Sequence, residues 1–143
     1  MIKTPYLLIL AFVLQLTLAF GQSKSREADK IIGTFWSPKK DAKIEIYKKG
    51  ESYFGKSIWV AIPRKDIENP NASLRKRDVL GIDLLSNFSY SDGEYGNGLI
   101  YDPESGKTYN CKMSLIGDKL KVRGYIGISL FGRTEYFEHI KSK

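Results

Sequence analysis

Few side chains in this sequence could carry out chemistry. There is one histidine, His139, and one cysteine, Cys111. A zinc site built from Cys and His needs several such ligands, so none can be assembled here. A Ser–His–Asp arrangement would have to recruit His139 from the C-terminal end of the chain. Asp83, Glu94, Asp102 and Glu135 are the carboxylates that could pair for glycoside hydrolysis. That reaction needs two of them about 5–10 Å apart across the substrate. Asp102 reads more simply as a turn opener and Glu135 as a surface charge, which leaves a hydrolase as the third choice. Ser105-Gly106-Lys107-Thr108 has the look of a phosphate loop but lacks its upstream glycine spacing and the helix that would follow. A hairpin turn is expected there. No catalytic residue, metal or cofactor is assigned.

Binding chemistry remains. Arg75, Lys76 and Arg77 sit in a long polar loop and could grip a carboxylate or phosphate with paired hydrogen bonds. A solvated basic loop is the plainer alternative. Tyr109, Cys111 and Met113 recur at every second position, with Leu115 after them. In a strand that spacing puts all four on one face. Methionine and tyrosine suit an adaptable apolar pocket with a polar handle. The same face would serve equally as a dry, packed core, with Cys111 a buried apolar residue. The expected ligand-binding set is Tyr109, Cys111, Met113, Arg75 and Arg77.

The elements that must position these residues are strands. From Ile32 onward apolar residues alternate with polar ones, and turn residues interrupt them every 8–12 positions. Expected strands are Ile32–Ser37, Ala42–Lys48, Ser52–Ile62, Val79–Phe88, Tyr95–Tyr101, Lys107–Leu115, a seventh around Leu120–Ile126, and Arg133–Ile140. In the fifth, Tyr95, Asn97, Leu99 and Tyr101 should share a face. Ser91-Asp92-Gly93 and Asp102-Pro103-Glu104-Ser105-Gly106 are strong turn signals. The expected fold class is all-β, an eight-stranded antiparallel up-and-down barrel, which leaves no open sheet edge. A two-sheet sandwich is the runner-up. Gly55, Gly96, Gly98, Gly124 and Gly127 interrupt strand patterns, where a small barrel bends or brings backbones close. An interior of eight strands is just wide enough to be filled by side chains or to hold one small ligand.

The first residues read as a secretory signal. Lys3 precedes the largely apolar Tyr6–Phe20, and Ala19-Phe20-Gly21 places small residues for cleavage before Gln22. The apolar run is shorter than the roughly 20 residues that span a bilayer. The expected organisation is a cleaved signal peptide over 1–21, a flexible lead-in over 22–30 and a single barrel over 31–143. The protein would be exported, periplasmic or secreted, with no transmembrane anchor in the mature chain. Lys and Arg outnumber Asp and Glu by 23 to 16. Export argues against nucleic acid as the partner, so the surplus concerns solubility or an anionic envelope component.

Several motifs in order resemble one family. They are Ile32-Gly33-Thr34, Asn69-Pro70 with Leu74-Arg75-Lys76-Arg77, and Gly98-Leu99-Ile100-Tyr101-Asp102-Pro103. Ser105-Gly106-Lys107-Thr108-Tyr109-Asn110-Cys111, Leu120–Gly127 and Gly132-Arg133-Thr134 continue the series. Together they resemble domain of unknown function 2147, a family of uncharacterised exported bacterial proteins. The resemblance implies a lipocalin-like barrel and, by analogy, a binder of a small apolar or amphipathic ligand, with no established reaction. Where the family opens Gly-Thr-Trp, this chain has Gly33-Thr34-Phe35, with Trp36 displaced by one; the last-strand tryptophan is replaced by Phe137. In lipocalin-like barrels the first-strand tryptophan packs under an arginine of the last strand. Phe35 or Trp36 with Arg133 is the expected equivalent, a structural closure by cation–π stacking. An envelope interaction protein with a packed interior is the alternative function.

Overall fold

The computed structural model describes residues 21–141. The signal peptide and the export expected from it rest on residues 1–20, which lie outside the described residues. The chain divides into two compact units, Met1–Lys30 and Ile31–Lys143. In the first, residues 21–28 are helical. That stretch holds no proline, and Lys, Arg, Glu and Ala all favour a helix. The exposed Lys30–Glu27 ion pair, 2.6 Å, follows the i, i+3 spacing that bridges one helical turn.

The second unit is a closed barrel of eight strands. These are β1 (Gly33–Trp36), β2 (Ala42–Lys49), β3 (Ser52–Val60), β4 (Asp83–Ser91), β5 (Glu94–Asp102), β6 (Lys107–Ile116), β7 (Lys119–Tyr125) and β8 (Gly132–His139). Each strand pairs antiparallel with its sequence neighbours, and β8 closes on β1 through Phe35↔His139 and Trp36↔Glu138. The eight-stranded up-and-down barrel is therefore the fold, and the sandwich is not.

Two faces are placed differently from the simple alternation. The strand expected from Val79 starts at Asp83, because the chain turns at Gly81 with φ 91°. Ser57 of β3 holds that turn: its backbone N donates to the Ile82 carbonyl at 3.0 Å, its carbonyl accepts from Gly81 at 2.8 Å, and its hydroxyl donates to the Val79 carbonyl. Leu85 consequently enters the core while Leu80 stays half exposed. In β5, Asn97 adopts φ 58° and the pairing with β6 slips between Tyr95 and Gly98. The extra residue of this bulge turns Ile100 inward and Leu99 outward. Gly98 permits it, since a β-carbon there would lie 2.3 Å from the Phe88 ring.

The connections at one end are tight turns at 50–51, 92–93 and 117–118; those at the other end are longer, 37–41, 61–82, 103–106 and 126–131. Toward the short-turn end the interior is solid. Phe35, Tyr53, Phe88, Tyr95 and Leu120 are fully buried there, with Tyr53 and Tyr95 edge to face at 5.3 Å. Cys111 belongs to this packed region, and burial pushes its thiol up to about 12. A thiol reagent should leave Cys111 unmodified in the folded protein at neutral pH and modify it stoichiometrically in denaturant, since the thiolate is the reactive form.

Candidate functional site

At the long-loop end the interior opens into a cavity of about 960 Å³. Its inner wall comes from alternate residues of four strands: Ile100 of β5, Tyr109 of β6, Val122 and Gly124 of β7, and Glu135 and Phe137 of β8. Register places Val122 opposite Glu135 and Gly124 opposite Arg133, so the wall passes from apolar to charged toward the rim. Arg133 Nη2 and Glu135 Oε1 form an ion pair at 2.5 Å. The arginine side chain is 83% exposed and the glutamate 35%, so this pair stands at the water side of the bore. Leu130 and Phe131 complete the rim from the β7–β8 connection. Lys39, Asp41, Asp102 and Glu104 also line its entrance, so an apolar bore with a mixed charged mouth can bury a hydrocarbon body and meet a polar head.

The strand pattern of β6 projects Tyr109, Cys111 and Met113 into the barrel, but to different ends. Tyr109 lies on the cavity wall, whereas Cys111 and Met113 are buried in the packed part and are absent from the lining. Packed core and open lumen thus share one barrel, each in its own half.

Arg75 and Arg77 each bond within their own loop. Arg75 Nε donates to the Asn69 carbonyl at 2.8 Å. Arg77 donates from Nε at 2.9 Å to Asp66 Oδ2, and its Nη2 lies 2.8 Å from the same oxygen. Asp66 is completely buried and also accepts from Asn69 Nδ2 at 2.8 Å and from the Tyr101 hydroxyl of β5 at 2.5 Å. Burial alone would raise the Asp66 carboxyl; the bonds from Tyr101, Asn69 and Arg77, with the Arg77 charge, outweigh it and hold the group below its ordinary value. Tyr101 moves the other way, raised by burial and by its bond to the carboxylate. Asn69, Arg75, Arg77 and Tyr101 all belong to the motifs that carry the family resemblance. Together they tie the 61–82 loop to itself and, through Tyr101, to β5, so these motif residues have an architectural role.

Gly106 serves the same junction. With φ 69° it turns the β5–β6 hairpin, and a β-carbon there would lie 1.9 Å from the Glu68 carbonyl oxygen. Gly106→Ala should cost about 2 kcal/mol or more, from left-handed strain alone before the clash is relieved. Chemical denaturation measures it, and limited proteolysis of the 61–82 loop would report where the damage lies.

The expected closure by Arg133 is not formed. Arg133 sits six positions along β8 from His139, the residue that faces Phe35, roughly 20 Å at strand spacing. Phe35 instead meets His139 edge to face at 5.0 Å. Trp36 lies on the outer face against Trp59 at 5.5 Å, with Lys43 Nζ 4.7 Å from its ring. Shifting the tryptophan one place turned it out of the barrel. Of the four carboxylates, Asp83 and Glu94 lie outside the cavity and Asp102 and Glu135 on its lining. Asp83 accepts from the Tyr47 hydroxyl at 2.8 Å, Glu94 pairs with Lys112 at 3.1 Å, and Asp102 caps its turn through Glu104 N at 2.9 Å. The sequence reads Glu135 as a surface charge, although its alternation with Phe137 is the signal that turns it toward the bore. Asp66 carried no signal, because loop residues have no periodicity to expose a buried acid.

A closed eight-stranded antiparallel barrel, packed at one end and open at the other, defines a lipocalin-like protein. The fold matches that of protein HP1028 from Helicobacter pylori, described as belonging to the lipocalin family, with a TM-score of 0.71 and 20% identity over 78% of this chain and 84% of that one. A family model described as an uncharacterized protein conserved in bacteria, DUF2147, matches residues 33–139, and the chain belongs to that family. No curated protein matches it. No helix among the described residues is long and apolar enough to cross a membrane.

Proposed function

We propose that the protein is an exported carrier that holds a small apolar or amphipathic molecule in the open half of its barrel and performs no catalysis on it. The observation that carries this is the cavity of about 960 Å³ with its inward apolar wall. Its volume lies at the upper end of ligand pockets, about 300–1,000 Å³. Ile100, Tyr109, Val122 and Phe137 bury the body of the ligand, and the Arg133–Glu135 pair meets its head. Arg133 is favoured for the headgroup role because it lines the cavity, whereas Arg75 and Arg77 are not among the lining residues.

Native mass spectrometry of the protein purified from its own cells, before and after organic extraction, tests this. A discrete extractable mass is expected, and bare protein in every preparation would overturn the proposal. Retention of that molecule should change little between low and high salt, since burial of apolar area is not screened. Equilibrium dialysis at two ionic strengths measures this.

A further inference from the structure

The most exposed large hydrophobic residues of the barrel share one end. Ile62 is 78% exposed, Ile126 and Phe131 75%, Leu130 74%, Ile67 65% and Ile128 61%. All six lie in the 61–82 and 126–131 connections, which leave the barrel at its open end. The tight turns at the other end are polar: Gly50-Glu51, Asp92-Gly93 and Gly117-Asp118. An apolar set this concentrated marks an interaction surface.

The loops are held rather than loose. Arg123, on the outer face of β7, donates from Nε to the Ser129 carbonyl at 2.7 Å and from Nη2 to the Leu130 carbonyl at 3.1 Å. Its Nη1 donates to Thr134 Oγ1 at 2.7 Å. Leu130 and Phe131 are thereby kept at the cavity rim. The 61–82 loop is held by the buried Asp66 cluster.

The charges of this end indicate what the surface meets. At this end Lys39 on the 37–41 connection, Arg75 and Lys76 on 61–82, and Lys107 at the start of β6 have no ion-pair partner among the described residues. Four acids there are paired with a cation: Asp78 with Lys65, Glu104 with Arg64, Glu135 with Arg133 and Asp66 with Arg77. Glu68 is exposed and unpaired among the described residues, and Asp41 and Asp102 accept only from neutral hydroxyl and backbone donors. Protruding apolar side chains flanked by free ammonium groups complement a layer of apolar chains beneath anionic headgroups.

We infer that the open end docks on an anionic lipid surface, Leu130, Phe131 and Ile62 entering the acyl boundary while Lys39, Lys76 and Lys107 meet headgroups. The cavity then faces the bilayer, the natural source or destination of an apolar cargo. Docking draws on the loops and not on what fills the cavity, so vesicle binding and cargo retention can fail separately.

Flotation with vesicles of phosphatidylcholine and phosphatidylglycerol tests this with the protein lacking residues 1–21, which removes any contribution of the apolar leader. Binding is expected to rise with phosphatidylglycerol content and fall with salt. Leu130→Ser/Phe131→Ser should weaken it at least tenfold, and Ile62→Ser, on the other loop, severalfold. Lys76→Glu/Lys107→Glu should abolish the dependence on phosphatidylglycerol. These positions are exposed, and circular dichroism should show an unchanged barrel. Absence of flotation, or flotation equal in wild type and in both loop variants, would overturn the inference. So would sedimentation showing that these substitutions break a dimer and leave vesicle binding intact.

Discussion

Asp66→Ala should be among the most damaging single substitutions in the barrel, lowering unfolding free energy by about 3 kcal/mol. Four bonds end on this carboxylate, from Tyr101, Asn69 and two nitrogens of Arg77. Breaking a buried ion pair by removing one partner costs roughly 3–5 kcal/mol, and the value within that range depends on what is left behind. The Arg77 side chain is 35% exposed, so water can take over its charge when Asp66 is gone. Arg77→Met leaves the opposite problem, a fully buried carboxylate without its cation, and should lie nearer the upper end. At about 4 °C per kcal/mol for a domain of this size, both shifts are readily seen by calorimetry.

The sign of the pH dependence separates this cluster from general acid unfolding. The folded carboxyl of Asp66 lies below its unfolded value, so its stabilisation is complete above the unfolded pKa of about 3.9. It is lost as pH falls through the folded value. Asp66→Asn should therefore reduce the loss of stability of the wild type below about pH 4, while costing stability at neutral pH. Arg77→Met, which removes the cation and keeps both neutral donors, should reduce the same acid-side loss partially. Urea unfolding of the three proteins across the acidic range gives the comparison, and parallel curves would place the acid sensitivity elsewhere.

Strands were legible because each strand of a barrel wall has one face inside, and that imposes a period of two on the sequence. β6 shows this best: Tyr109, Cys111 and Met113 all point inward as their spacing requires. Alternation gives a side of the sheet, but not a height within the barrel. The depth at which packing gives way to cavity depends on how far Phe88, Tyr53 and Tyr95 fill the interior from other strands. Cys111 and Met113 were therefore credited to a pocket that only Tyr109 reaches. Bulges are the second limit. A single positive-φ residue, Asn97, exchanged the faces of Leu99 and Ile100, and nothing in the local alternation announces it. Loops are the third. The engagement of Arg77 was hidden because its partner Asp66 lies in the same aperiodic segment, where burial leaves no pattern. The same limit applies to the apolar 126–131 connection, whose first residue, Ile126, falls at the end of the expected seventh strand. Its 75% exposure follows from β7 ending at Tyr125.

Gly124→Leu should empty the barrel without unfolding it. Gly124 lies on the cavity wall in β7, where a β-carbon would find Ile100 Cγ2 at 3.4 Å and Tyr109 Cβ at 3.8 Å, ordinary contact distances. The backbone accepts a side chain there, and replacing a strand-interior glycine offsets part of any packing strain. The remaining carbons of leucine have nowhere to go but the bore, across the path between the Arg133–Glu135 rim and the Phe137 floor. Retained ligand should fall at least tenfold, about 1.4 kcal/mol, as measured by the extractable mass per protein. Gly124→Ala, which adds only the tolerated β-carbon, should stay close to wild type. Arg133→Gln should keep the amount bound and shift the preference away from anionic heads, because it removes charge at the rim and no volume from the bore. A Gly124→Leu protein that carries the same mass in the same amount would put the ligand outside the barrel. The groove beside Asn97, Lys112 and Ile128 would then be the next place to look.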